Sequence, residues 1–198
     1  MLQEDRFKKL FKQHKALLNG HFQLSSGLHS NTYFQSALIL QYPIQAQKLA
    51  LELTKKIKYS DIKVDVVISP AIGGIIIGYL VGTMLNARSI FTERINGNVS
   101  LRRGFKVYDN EKVLIVEDVI TTGLSTKEVI KCINKTKARV VAIAAIVDRQ
   151  IKNMKFDKYN LPIFTLLNLQ VKSYTQSSCP MCLKKLAITK PGSREREK

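Results

Sequence analysis

Apolar positions along the chain recur with two periods, and each period predicts a different kind of element. Phe7, Leu10, Phe11, Leu17 and Leu18 fall at helical spacing, as do Ala46, Ala50, Leu53 and Ile57 behind Pro43. Steps of three and four residues gather on one stripe of a helix, and a proline fits the first turn, where an N–H would lack a helical partner anyway. Two amphipathic helices are predicted. Between them, Gly20 to Leu40 carries a Ser25-Ser26-Gly27 turn signal and a Thr32-Tyr33-Phe34 stretch suited to a strand or hairpin.

Near-continuous apolar runs stand at Val64 to Ile68, Lys112 to Val116, Arg139 to Val147 and Leu161 to Leu167. They read as strands buried on both faces, and helical patterns at Gly73 to Leu85 and Ser125 to Lys135 are interleaved with them. This alternation predicts an α/β fold, a mostly parallel sheet flanked by helices. Ser125 and Glu128 have the spacing of a capping box, which would start a helix just after Thr121-Thr122-Gly123. Arg94 to Asp109 is polar, contains Gly97 and Gly104, and carries Arg94, Arg102, Arg103 and Lys106, so a mobile basic loop or hairpin is expected there. The charged stretch Lys190 to Lys198 has no apolar period and predicts a frayed end.

Length and composition narrow the picture. A chain of 198 residues, 45% hydrophobic and 24% charged, is enough for one ordinary α/β domain and leaves little room for a second core of similar size. Thirty-two basic against fifteen acidic residues give a net charge of +17, a field that attracts phosphates and nucleic acid alike. No apolar run approaches the ~18 residues of a membrane span, and the first residues, Met1-Leu2-Gln3-Glu4-Asp5, lack the apolar stretch of a signal peptide. No membrane association and a cytoplasmic location are therefore expected. Three cysteines, an odd number, suit a reducing compartment better than a disulfide framework.

Cys179-Pro180-Met181-Cys182 has the spacing of half a zinc site. No second pair or neighbouring histidine completes it along the chain, although two copies meeting in a dimer would supply four cysteines. His14, His21 and His29 show no ligand spacing, so they are not expected to bind metal. Cys132 falls in a helical pattern and reads as a packing residue.

The segment richest in chemistry is Val113 to Thr126, a strand, a turn and a helix start. In a doubly wound sheet the ligand crevice lies beyond the carboxyl ends of strands, where a helix N-terminus offers N–H groups to a phosphate. Thr121, Thr122, Ser125 and Thr126 add hydroxyl donors, and Gly123 lets the backbone come close. Glu117 and Asp118 would repel a bare phosphate, so the ligand must bring hydroxyls or a cation to them. A ribose phosphate with Mg brings both. No Gly-x-x-x-x-Gly-Lys-Ser/Thr stretch exists, which disfavours a P-loop nucleotidase.

Val113 to Thr126 resembles the phosphoribosyl pyrophosphate (PRPP) signature of the type I phosphoribosyltransferases. Gly20-His21-Phe22-Gln23-Leu24-Ser25-Ser26-Gly27 running on to Tyr33-Phe34, then Ser69-Pro70-Ala71-Ile72-Gly73-Gly74, then Asp148-Arg149, resemble the orotate-using members. The resemblance implies the type I phosphoribosyltransferase fold with a small N-terminal hood: hood about 1–42, core about 43–170 and C-terminal segment 171–198. It implies PRPP binding along Glu117, Asp118, Val119, Ile120, Thr121, Thr122, Gly123, Leu124 and Ser125, with Mg held mainly through substrate and water near Glu117 and Asp118. Orotate would meet Thr121, Arg149, Tyr33 and Phe34, and pyrophosphate the loop Ala71, Ile72, Gly73 and Gly74. Arg102, Arg103 and Asp118 would be catalytic, on a basic loop and an acidic strand of a homodimer whose loop reaches the partner's site.

The chain departs from the better-known pattern where Ser25 and Gly73 stand in place of lysines, and where arginines replace a lysine- and histidine-rich catalytic loop. Two other readings share the signature. A purine phosphoribosyltransferase uses the same ribose donor, but Tyr33, Phe34 and Arg149 favour orotate. An RNA-binding regulator on the same fold would suit the charge, but the chain shows no separate RNA-binding motif, so no specific nucleic-acid partner is expected.

Overall fold

The structure, a computed structural model, describes residues 3–24, 27–149, 156 and 159–191. Ser25 and Ser26 of the expected turn, and the last seven residues of the charged end, lie outside the described residues.

Six strands form the main sheet: β3 (Val66–Pro70), β4 (Arg88–Ile95), β5 (Asn98–Leu101), β6 (Lys112–Ile120), β7 (Arg139–Asp148) and β8 (Ile163–Asn168). Their order is β5-β4-β3-β6-β7-β8, with every pair parallel except β4 and β5. Helices α3 (Pro43–Lys58), α4 (Gly74–Leu85) and α5 (Leu124–Ile133) cover it.

The interior strands have apolar side chains on both faces because each face has its own core. Val67, Leu114, Val116, Ala142, Ala144 and Ile146 point to one, where Leu49, Leu53 and Ile57 of α3 and Ile77 and Val81 of α4 meet them. Val66, Ile68, Val113, Ile115, Ile143 and Ala145 point to the other, against Val129, Ile130 and Ile133 of α5. Alternate residues of one strand thus serve opposite cores, which is why these strands read as continuous apolar runs.

The first predicted helix is shorter than its apolar period. α1 (Gln3–Gln13) stops where Lys15 takes a left-handed φ of 54° and the Ala16 N–H closes onto the Phe11 carbonyl at 2.8 Å. Leu17 and Leu18 belong instead to β1 (Leu17–Gln23), which pairs antiparallel with β2 (His29–Phe34) and through it with β9 (Ser173–Tyr174). α2 (Ala37–Leu40) and α6 (Pro180–Leu183) are single turns. The expected capping box does not form: Gly123, with φ 68°, occupies the N-cap of α5, and Glu128 is taken by Arg94 across the gap from β4.

A bulge in the β1–β2 hairpin overturns the expectation that the histidines stand apart from the cysteine pair. Asn19 faces Thr32 and Phe22 faces Ser30, so Gly20 and His21 together oppose Asn31. Alternation breaks there, and the successive residues His21 and Phe22 are both buried. His29 faces Gln23, placing His21 and His29 as diagonal neighbours on one face. Cys179, the N-cap of α6, and Cys182, within it, come to the same spot, and Cys179 is wholly buried. No described helix is long and apolar enough to cross a membrane.

Candidate active site

β3 and β6 are adjacent and parallel, yet the chain leaves them in opposite directions, β3 toward β4 and β6 toward β7. Such a switch point opens a crevice beyond the strand ends. The crevice has depth because the β3–β6 register ends at Ile68 with Ile115, whereas β6 continues along β7 to Ile120 with Asp148. Val116 to Ile120 therefore extend past the β3 ladder. Glu117 and Asp118 lie inside this overhang.

The loop from β3 into α4 lies against the acidic pair. A Cβ on Gly73 would stand 2.5 Å from Oδ2 and 2.7 Å from Oδ1 of Asp118, and one on Gly74 would stand 2.8 Å from the Val116 carbonyl oxygen. Residue 73 thus has no room for a side chain while Asp118 keeps this position. The Ala71–Ile72 peptide bond is cis, and Ile72 is 84% exposed at the rim. On the other wall, Thr121 and Thr122 are exposed, Ser125 is half-buried, and Leu124 projects into solvent. Gly123 is doubly constrained, by its left-handed φ and by the Phe156 ring 2.7 Å from where a Cβ would sit.

The two carboxylates differ in environment. Glu117 is 7% exposed and accepts a hydrogen bond from the Thr126 hydroxyl at 3.2 Å. Burial pushes its carboxyl up to about 8, the Asp118 charge adds to the rise, and the Thr126 hydroxyl opposes it. Asp118 is half-buried and accepts from the hydroxyl of Ser36, a buried residue at the start of α2. Sequence reasoning missed Ser36: a serine before a short apolar run carries no signal of a partner 82 positions away.

Tyr33 and Arg149 join Asp118 from two further elements. The Arg149 N–H donates to the Ile120 carbonyl at 2.8 Å, which anchors the residue just past β7. Burial pulls its guanidinium below its ordinary value, and only the Tyr33 phenol counters this. Tyr33 in turn is raised by burial, lowered by Arg149 and raised by Asp118, so it feels the charge of both neighbours. Its ring leans on Phe22, with centroids 5.7 Å apart.

Three expected contacts are placed differently. Phe34 is buried edge-on against Phe11, ring centroids 5.0 Å apart, because adjacent residues of a strand point to opposite faces. The structure does not bring it to the crevice with Tyr33. Val119 and Ile120 send their side chains into the two cores, leaving only main-chain atoms toward a ligand. Arg102 and Arg103 follow β5, the outer strand of the β4–β5 hairpin. Arg103 donates from Nε and Nη2 to Glu93 at 3.1 and 2.9 Å and stacks over Phe91, so its partners here belong to its own hairpin.

An acidic pair facing a glycine loop and a hydroxyl-rich turn at the switch point of a parallel sheet defines a phosphoribosyltransferase-type site, and residues 39–176 match the family model of the phosphoribosyl transferase domain. Curated relatives are more specific. The chain is 45% identical over 98% of its length to all of the orotate phosphoribosyltransferase of Caldicellulosiruptor bescii. It is also 45% identical over 94% of its length to 98% of the enzyme of that name from Helicobacter pylori G27. The chain belongs to the orotate phosphoribosyltransferases. The fold is shared with the solved orotate phosphoribosyltransferase of Aeropyrum pernix, at a TM-score of 0.68 and 23% identity over 86% of this chain and 94% of that one.

Proposed function

We propose that the crevice between β3 and β6 transfers the 5-phosphoribosyl group of PRPP to orotate. The products are orotidine 5-monophosphate and pyrophosphate, a step of pyrimidine nucleotide (UMP) synthesis. The observation that carries the reading is the convergence of Asp118, Tyr33, Arg149 and Gly73 from four separate elements onto one crevice.

Thr121 to Ser125 wrap the 5-phosphate with hydroxyls and the N–H groups at the start of α5. Glu117 and Asp118 accept hydrogen bonds from the ribose hydroxyls, and Ser36 holds Asp118 toward them. Ala71 to Gly74 expose main-chain N–H groups to pyrophosphate, with Gly73 close enough to Asp118 that ribose and pyrophosphate sites adjoin. Arg149 pairs its planar guanidinium with the orotate carboxylate, Tyr33 covers the ring, and Thr121 contacts the base. Carboxylate oxygens are hard donors and fit magnesium, which Glu117 and Asp118 would hold mainly through substrate and water. Bound there, the ion supplies positive charge against the diphosphate.

A ring nitrogen of orotate gives up its proton to solvent and bonds to the anomeric carbon, and the bond that breaks leaves its electron pair on pyrophosphate. Positive charge grows on the sugar, and the Asp118 carboxylate is the group assigned to balance it. Arg102 and Arg103 balance charge on the departing pyrophosphate. Arginine stays protonated, so their part is electrostatic. We assign the chain to a homodimer in which the β4–β5 hairpin serves the partner's crevice; the exposure of Arg103 on that hairpin supports this. A cytoplasmic setting suits its three free thiols.

The test is to mix the protein with Mg, PRPP and orotate and follow the loss of orotate absorbance, with adenine and hypoxanthine as competing acceptors in a pyrophosphate-release assay. Turnover with orotate alone is expected. Turnover with a purine and none with orotate would overturn the assignment.

A further inference from the structure

We propose that His21, His29, Cys179 and Cys182 form a structural zinc site that staples the C-terminal segment onto the β1–β2 hairpin. Each side chain offers one ligand atom, and the four atoms all lie within 4.8 Å of one another. His21 Nε2 is 3.6 Å from Sγ of Cys179 and of Cys182, Cys182 Sγ is 3.2 Å from His29 Nδ1, and the two imidazole nitrogens are 2.9 Å apart. Tetrahedral zinc bound at roughly 2.05 Å by nitrogen and about 2.3 Å by sulfur sets N to S edges of about 3.6 Å and an N to N edge of about 3.4 Å. The two edges at 3.6 Å already fit, while the N to N edge and the Cys182–His29 edge each have to open by about half an ångström.

Protonation points the same way. His21 Nδ1 lies 2.9 Å from the Leu186 carbonyl, which only accepts, so Nδ1 carries the hydrogen and Nε2 presents a lone pair to the cluster. A second nitrogen tied to a backbone carbonyl is the usual support of a metal-binding histidine. Without an ion, both thiols and His29 Nδ1 would still crowd that nitrogen at 3.6 Å or less, in a place where Cys179, His21 and His29 are all buried. One ion satisfies all four groups together. Soft thiolates with imidazoles in tetrahedral array select zinc over magnesium or calcium. With four protein ligands the site has no open position, so its role is structural.

The fold around it shows why a clip is useful. The ligands come from segments more than 150 positions apart. Beyond β9, the described part of the C-terminal segment buries little: Leu183, Leu186 and Ile188 are 77%, 52% and 48% exposed. Its backbone ties to the hairpin are few, among them Gln23 N–H to the Thr189 carbonyl at 2.9 Å and Thr189 N–H to the His21 carbonyl at 2.8 Å. A metal bond between distant segments contributes folding free energy that this sparse interface lacks. β2 runs on from His29 to Tyr33, so the clip also fixes the base of the strand that carries Tyr33.

The whole chain, produced with zinc in the medium and desalted, should retain one zinc ion per chain, with two thiols shielded from a thiol reagent until a strong chelator is added. Cobalt(II) in its place should give the intense visible bands and near-ultraviolet thiolate charge transfer of a tetrahedral centre, and zinc X-ray absorption should fit two sulfur and two nitrogen neighbours. Cys182→Ser and His29→Ala should each lower zinc content at least several-fold and lower Tm, while Cys132→Ser retains both. Wild-type protein that takes up no zinc above background, an octahedral cobalt spectrum, or a Cys179–Cys182 disulfide in freshly isolated protein would each overturn the site. The wild-type metal content and cobalt spectrum decide the matter even if the variants fail to fold.

Discussion

The α-carbon of Gly73 sits so close to Asp118 that an added Cβ would stand 2.5 Å from Oδ2 of its carboxylate. The β3–α4 loop and the end of β6 meet so closely here that displacing one displaces the other. Gly73 has an ordinary helical φ of −58°, so alanine brings no backbone strain and the whole effect falls on Asp118. Gly73→Ala should push the Asp118 carboxylate off the Ser36 hydroxyl. Stability should fall by only about 1 kcal/mol, the usual contribution of one hydrogen bond. PRPP turnover should fall on the order of a hundredfold, since sub-ångström misplacement at a reacting centre is costly. Unfolding curves and initial rates at varied PRPP check this pair of outcomes, and unchanged kinetics would show that the loop and the strand end are not coupled.

The buried Glu117 makes stability depend on pH in a defined direction. In the unfolded chain its carboxyl ionises in the ordinary range near 4.5, whereas in the fold it keeps its proton up to about 8. Between these values the native state binds more protons than the unfolded one, so stability falls as pH rises through that window. Below it both states are neutral, and above it the loss is complete. At about 1.4 kcal/mol per pH unit of difference, the full loss is on the order of 5 kcal/mol. Glu117→Gln should flatten this slope and raise stability at the alkaline end, while weakening PRPP binding at every pH. Urea unfolding across the window, in both proteins, tests the sign.

What was legible in the chain follows from how local its causes are. Val66 to Ile68, Val113 to Val116 and Ala142 to Val147 announce themselves because a strand covered on both faces is apolar at every position. The acidic pair and the turn after it are contiguous, so their meeting needs no long-range information. Features set by register or packing were hidden. The apolar period through Leu17 and Leu18 continues across a chain reversal at Lys15, so a strand reads as helix. Ser125 and Glu128 have the right spacing for a cap, but Arg94 claims Glu128 from 34 residues away. The bulge that turns His21 inward depends on where β1 pairs with β2, and no spacing of histidines along the chain reveals it.

Arg149 and Tyr33 should govern orotate without governing PRPP. A charge-assisted hydrogen bond to a carboxylate contributes about 1.5–3 kcal/mol, so Arg149→Ala should raise KM for orotate on the order of tenfold to a hundredfold. Arg149→Lys should recover only part, because an ammonium cannot match the flat two-point geometry. Tyr33→Phe keeps the ring against Phe22 and should have a smaller effect. KM for PRPP should hold nearly constant in all three. A larger change for PRPP than for orotate would place these residues around the sugar instead.

Arg103 provides the test of whether a second subunit completes the site. Its guanidinium is held by Glu93 on its own hairpin and is 61% exposed, a position suited to reaching outward. Arg103→Ala and Asp118→Asn should each cut turnover by at least about a hundredfold, as loss of charge stabilisation in a transition state does. If the arginine serves the partner's crevice, mixing the two inactive proteins and letting subunits exchange gives hybrids with one crevice carrying both changes and one carrying neither. Half the dimers are then hybrids with one intact site, so activity should return to about a quarter of wild type. If Arg103 instead acts within its own subunit, every crevice in every hybrid keeps one lesion and mixing restores nothing. Sedimentation of the mixture, run beside the assay, establishes that exchange has taken place.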